Sequence, residues 1–161
     1  MSFNVMVVDD AMIMRFILSG ILREHNYNVV AEAASGKEAV AMYKSHKPNL
    51  VLMDITMPES GLVAVKEITE YDENAKVLMC SAMGQKNMVR EAILNGAKDF
   101  LVKPLRREDV VSAVVKLIGI PPGPEAPRND FDVSASDDEE DTSKMSNLER
   151  SLRNKLSKGI D

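Results

Sequence analysis

Four short apolar runs in this 161-residue chain are each followed by a side chain capable of chemistry. Asp9 and Asp10 come after Val5-Met6-Val7-Val8, Asp54 after Leu50-Val51-Leu52-Met53, Ser81 after Val77-Leu78-Met79-Cys80, and Lys103 after Phe100-Leu101-Val102. A pair of acids by itself more often complements the positive N-terminus of a following helix. The same placement at four run ends points instead to one shared mouth. Three carboxylates gathered there repel, raise one another's proton affinity, and stay ionised at neutral pH when a cation joins them. Hard oxygen ligands with room for water and phosphate oxygens favour magnesium over zinc, and Lys103 supplies a second positive charge. A carboxylate nucleophile flanked by a divalent ion, an ammonium and a hydroxyl suits acceptance of a phosphoryl group, because that transfer is mainly positioning and charge neutralisation.

These residues need elements that bring run ends together. The runs above, with Val29-Val30-Ala31, recur through the first 119 residues, each followed by a helical pattern. Mostly they are continuously apolar rather than alternating, as strands covered on both faces require, which predicts a parallel sheet. Ser35-Gly36-Lys37-Glu38 reads as a capping box opening a helix that Lys47-Pro48 stops. The helix through Met88, Val89, Ala92 and Ile93 ends at Asn95-Gly96, a left-handed C-terminal signal. A last helix over residues 108–117, with Val111, Val114, Val115 and Ile118 on one face, closes at Gly119. Five βα units make a doubly wound α/β sandwich, and right-handed crossovers place its functional crevice at the carboxyl ends of the strands.

Composition narrows the function classes. With 45% hydrophobic and 28% charged residues the chain has material for one domain with a core but not for a second. A net charge of −5 gives no footprint for DNA. No apolar segment is long enough to span a membrane, and no signal-peptide pattern opens the chain, so a cytoplasmic protein without stable membrane association is expected. One cysteine, Cys80, and two histidines offer neither an internal disulfide nor a soft-metal cluster. Charge is unevenly distributed: residues 1–119 hold 14 basic and 15 acidic side chains, residues 120–143 one and eight, and residues 144–161 five and two. The proline-rich, acidic middle segment reads as a disordered, self-repelling linker.

The stretches Val7-Val8-Asp9-Asp10-Ala11, Met53-Asp54-Ile55-Thr56-Met57-Pro58, Met79-Cys80-Ser81-Ala82-Met83-Gly84 and Gly96-Ala97-Lys98-Asp99-Phe100-Leu101-Val102-Lys103-Pro104 stand in one order along the chain. Through them about three quarters of the sequence resembles the receiver domain of a two-component response regulator, close to the stand-alone CheY-like chemotaxis type. The resemblance implies a flavodoxin-like sheet of strand order 2-1-3-4-5, followed here by a flexible C-terminal tail. It implies that Asp54 is the phosphoacceptor and that Asp10 and the backbone carbonyl of Thr56 bind Mg2+ directly beside Asp54, with Asp9 helping through ordered water. Lys103 would pair with the phosphoryl oxygens. Ser81 would hydrogen-bond the phosphoryl group, drawing its loop inward and opening space for Phe100 to rotate, a local electrostatic event biasing a bistable packing element. The plainer reading of Phe100 is a core side chain. A cis peptide at Lys103-Pro104 is also implied, although the residues alone fit a trans proline opening the last helix equally well. Such a protein is no enzyme toward other substrates but catalyses its own phosphorylation and dephosphorylation. One departure stands out: Met57-Pro58-Glu59-Ser60-Gly61 replaces the family's usual Met-Pro-Glu-Met-Asp-Gly, one residue shorter. Met83, two positions after Ser81, is apolar and would hinder the water that removes the phosphoryl group.

By the same resemblance the phosphodonor is a chemotaxis-type histidine kinase, and the output partner is a flagellar motor switch protein or another chemotaxis protein. The partner surface would comprise Lys86, Asn87, Arg90, Asn95, Lys98, Phe100, Pro104, Leu105, Arg106 and Arg107, a basic face suited to an acidic peptide. Alternatives are a phosphotransfer intermediate or phosphate sink, and an adaptor acting through the C-terminal segment. There Met145, Leu148, Leu152, Leu156 and Ile160 fall on a helical stripe about 120° wide, with Ser146-Asn147-Leu148-Glu149 as a capping box and Gly159 as a stop. A monomer is expected.

Overall fold

A computed structural model describes residues 3–82 and 84–123. The expected linker from residue 124 onward, the amphipathic stripe at Met145, Leu148, Leu152, Leu156 and Ile160, and the role assigned to Met83 lie outside the described residues.

Strands and helices alternate strictly: β1 (Asn4–Val8), α1 (Met12–Glu24), β2 (Asn28–Ala33), α2 (Gly36–His46), β3 (Leu50–Met53), α3 (Gly61–Tyr71), β4 (Val77–Ser81), α4 (Lys86–Leu94), β5 (Asp99–Val102) and α5 (Arg107–Ile118). All strand pairings are parallel, and the order is β2-β1-β3-β4-β5, the order the resemblance implied. Strand order reverses between β1 and β3, so the loops leaving these two strands diverge and open a crevice at their carboxyl ends.

Successive side chains on a strand face opposite sides, which is why the central strands read as unbroken apolar runs. Met6, Val8, Val51, Met53, Val77 and Met79 pack on one face with Ala39, Tyr43, Val65, Ile68 and Ala92 of α2, α3 and α4. Val5, Val7, Leu50, Leu52, Leu78 and Cys80 pack on the other with Leu18, Leu22, Val110 and Val114 of α1 and α5. The expectation of strands covered on both faces holds for β1, β3 and β4 and needs correction at the sheet edges. There β2 is exposed at Asn28 and Glu32, and β5 has no fully buried residue, because an edge strand has a neighbour on one side only.

Local signals acted through identifiable atoms. Ser35 Oγ accepts from the Glu38 N–H at 3.2 Å, while the Glu38 carboxylate accepts from the Ala34 N–H rather than from that of Ser35, so the box closes one residue further back than its usual form. Lys47 ends α2 in the left-handed conformation before Pro48. At the end of α4, Gly96 adopts φ 118°, and the Ala97 and Gly96 N–H groups donate to the Ala92 and Ile93 carbonyls, closing a Schellman turn. In α5 the buried residues are Val110, Ala113 and Val114, so of the predicted Val111/Val114/Val115/Ile118 stripe only Val114 is fully buried and the inward face is rotated toward Val110. Val111, Leu117 and Ile118 pack at its margin.

Candidate functional site at the carboxyl ends of the strands

The crevice gathers side chains from four strand ends. Asp54 leaves β3 with its N–H donating to the Val8 carbonyl at 2.9 Å, which ties the end of β3 to that of β1. Its residue is only 6% exposed, and its Oδ1 accepts from the Ile55 N–H at 2.8 Å. Asp9 is more deeply buried and fully engaged. Its N–H donates to Ala33 O at 3.0 Å, Oδ1 accepts from the Ala11 N–H at 2.9 Å, and Oδ2 accepts from Lys103 Nζ at 2.7 Å. Asp10 is exposed at the rim. Lys103 follows β5, where its N–H donates to the Ser81 carbonyl at 2.8 Å, and its ammonium reaches across to lie 3.7 Å from Asp54 Oδ2. Ser81 is the last residue of β4, inside the strand rather than after it, and completely buried. The Lys103-Pro104 peptide is cis.

Electrostatics follow from this packing. Burial pushes the Asp54 carboxyl above its ordinary value and the Asp9 charge adds to the rise, while Lys103 and the Ile55 and Thr56 N–H groups oppose it. Burial by itself would depress Lys103, yet its hydrogen bond to Asp9 and the charges of Asp54 and Asp9 outweigh this and raise it. Carboxylate oxygens of Asp9, Asp10 and Asp54 lie within 4.8 Å of one another. One ammonium against three carboxylates leaves excess negative charge and hard oxygen donors in one place, which fits a divalent cation such as magnesium. Thr56 sits two residues beyond Asp54, and its N–H bonds that carboxylate, so its own carbonyl belongs to the same loop.

Two contributors had escaped the sequence reading. Arg15, one turn into α1, donates from Nη1 to the Asp9 carbonyl at 2.7 Å and places Nε 3.4 Å from Glu32 Oε1. Its only sequence signal was a cation six residues after Asp9. Gly61 opens α3 against the Asp54 backbone: a Cβ there would fall 2.0 Å from the Asp54 carbonyl oxygen. The shortened loop is drawn in tightly, with Glu59 at φ 50°, Gly61 N–H on Ile55 O, and Ser60 Oγ accepting from the Leu62 N–H.

On the face of α4, β5 and α5, Lys86, Asn87, Arg90, Lys98, Pro104 and Arg106 are exposed, and Phe100 and Leu105 are half-buried. Phe100 packs against the core layer under α3 and α4. Asn95 departs from the expected surface because its amide donates to the Leu62 carbonyl of α3 at 3.0 Å. Arg107 pairs with Glu24 of α1. Exposed Leu94 and Val102 add apolar area to the basic face.

Comparison with known proteins agrees with this geometry. The response regulator receiver domain family matches residues 5–115. The chemotaxis protein CheY of Bacillus subtilis is 50% identical over 119 residues, covering 73% of this chain and 99% of that protein. CheY of Thermotoga maritima is 52% identical over 118 residues, covering 73% and 98%. A chain of the crystal structure of the CheX–CheY–BeF3–Mg2+ complex from Borrelia burgdorferi superposes with a TM-score of 0.70 at 40% identity, covering 71% of this chain and 87% of that one. With its sheet order, its strand-end carboxylates and 50% identity to such a relative over 119 residues, this chain belongs to the response regulator receiver domain family, among the CheY-like receivers.

Proposed function

We propose that this receiver accepts a phosphoryl group on Asp54 from a phosphohistidine of a chemotaxis-type histidine kinase, and that phosphorylation switches its affinity for an output partner. The observation that carries the reading is the meeting of a nearly enclosed Asp54 carboxylate with Lys103 at 3.7 Å and with two further carboxylates at one mouth. An Asp54 carboxylate oxygen attacks phosphorus, the phosphorus–nitrogen bond of the donor breaks, and the departing imidazole recovers its electron pair and takes up a proton. Lys103 supports the ionised form of Asp54 before transfer and is within reach of a new phosphoryl oxygen after it. Asp9, Asp10, Asp54 and the Thr56 carbonyl would hold magnesium. When bound, that ion supplies charge neutralisation for the phosphoryl oxygens.

Ser81 would donate to the phosphoryl group, and Phe100, half-buried beside β4 and α4, would change its packing in response. The readout face is the exposed basic set Lys86, Asn87, Arg90, Lys98, Pro104 and Arg106 with Leu105, facing an acidic segment of a flagellar motor switch or other chemotaxis protein in the cytoplasm. Its similarity to the CheY proteins and to the CheX–CheY–BeF3–Mg2+ complex supports both the magnesium and the chemotaxis assignment. Among the described residues no helix is long and apolar enough to cross a membrane.

The test is intact-mass measurement after incubation with a small-molecule phosphodonor, with and without magnesium. Wild type should gain one phosphoryl group only with magnesium, and Asp54→Asn none. An adduct of equal yield on Asp54→Asn would move the acceptor elsewhere, and no adduct under any condition would overturn the reading.

A further inference from the structure

Asp10 is the exposed member of the acidic trio, so surrounding side chains do not fix its direction by enclosure. What its backbone fixes is the starting direction of its side chain, through the peptide that precedes it. The oxygen of that rigid, planar unit is the Asp9 carbonyl, and this oxygen accepts from Arg15 Nη1 at 2.7 Å. Arg15 is itself held at both ends. Its backbone N–H donates to Ala11 O at 3.1 Å, its Nε lies 3.4 Å from Glu32 Oε1 at the end of β2, and its side chain is 18% exposed. A guanidinium presents its donors in a fixed plane, so anchoring one edge on Glu32 orients the other toward the carbonyl. On its helix side the corner is also held by the Ala11 N–H, which donates to Asp9 Oδ1 at 2.9 Å, but that bond spans the corner and leaves the Asp9 carbonyl to Arg15.

We propose that Arg15 is a positioning residue of the divalent-cation site: by holding the Asp9 carbonyl it fixes the Asp9–Asp10 peptide plane and aims the Asp10 carboxylate at the point shared with Asp9 and Asp54. Its bonds go to the main-chain carbonyl of Asp9 and to Glu32, so it acts on the corner without occupying any of the three carboxylates. Supporting groups of this kind around a metal site change affinity by about 10–100-fold when removed. The inference rests on the reading of the trio as a magnesium site.

Magnesium titration of the full chain by calorimetry tests it, with wild type, Arg15→Ala, Arg15→Lys and Glu32→Gln. Arg15→Ala should weaken magnesium binding by about tenfold and shift the Asp10 amide resonance of the magnesium-free protein. Arg15→Lys, which keeps a donor but loses the planar fork, and Glu32→Gln, which loosens the far edge, should fall between it and wild type. In phosphorylation assays with a small-molecule donor, the half-saturating magnesium concentration should rise by more than the maximal rate falls, a split that general destabilisation would not produce. Arg15→Ala binding magnesium within twofold of wild type, with the Asp10 amide unmoved, overturns the proposal. If Arg15→Ala does not fold, unchanged affinity in Glu32→Gln overturns it. Wild type that takes up no magnesium overturns the metal reading first and this inference with it, so the two failures are distinguishable.

Discussion

Asp54 holds its proton more tightly than an ordinary carboxyl group because burial strips it of water and Asp9 adds a like charge, and Lys103 with two N–H donors recovers only part of this. The folded state therefore binds a proton that the unfolded chain has already released between the ordinary value of 3.8 and the raised one. Stability contributed by Asp54 is present below that window and is lost as pH climbs through it. Asp54→Asn should thus melt at a higher temperature than wild type at neutral pH without divalent cation, with the gap narrowing toward about pH 4; thermal melts across that range check it, and a gap independent of pH would contradict it. The acids, Ser81 and Lys103 were legible in the sequence because each follows an apolar run. Arg15 and Gly61 were not, because what they touch is the backbone of Asp9 and Asp54, and no residue pattern records a backbone approach.

Helix α1 buries one polar side chain. Ser19 is 1% exposed, and its hydroxyl has no hydrogen-bond partner among the described residues. A buried donor left unpaired costs about 1–3 kcal/mol, and alanine is the better helix former. Ser19→Ala should raise stability by about 1 kcal/mol, read as a higher denaturant midpoint at unchanged slope; a lower midpoint would mean that the hydroxyl is satisfied in solution. Helix ends were the best-read elements, since capping at Ser35 and the Asn95-Gly96 turn depend on residues adjacent in the chain. Helix faces were read less well. The inward face of α5 is set by which side meets β5 and α1, and a rotation of about 100° exchanges Val111 for Val110.

At the scale of the whole molecule, the receiver closes on itself at the far side from the site. Tyr27 Oη donates to the Gly119 carbonyl at 2.5 Å, and Phe3 meets Tyr27 edge-on. A chain ending at Gly123 retains this closure. A chain ending at Ile118 loses the Tyr27 acceptor and should unfold earlier; equal midpoints for the two shortened chains would show that the contact contributes nothing. The sequence by itself determined the alternation of strands and helices, the parallel sheet, and the placing of carboxylates, a lysine and a serine at strand ends, because burial and covalent order constrain residue types locally. Tertiary structure decided the rest. Strand pairing brings Asp9, Asp10 and Asp54 within 4.8 Å although 44 residues separate the second from the third, and it lets Lys103 choose Asp9 at 2.7 Å over Asp54 at 3.7 Å. It also turns Asn95 toward α3 and presses Gly61 against Asp54, since distances between chain-distant groups follow from packing and not from spacing along the chain.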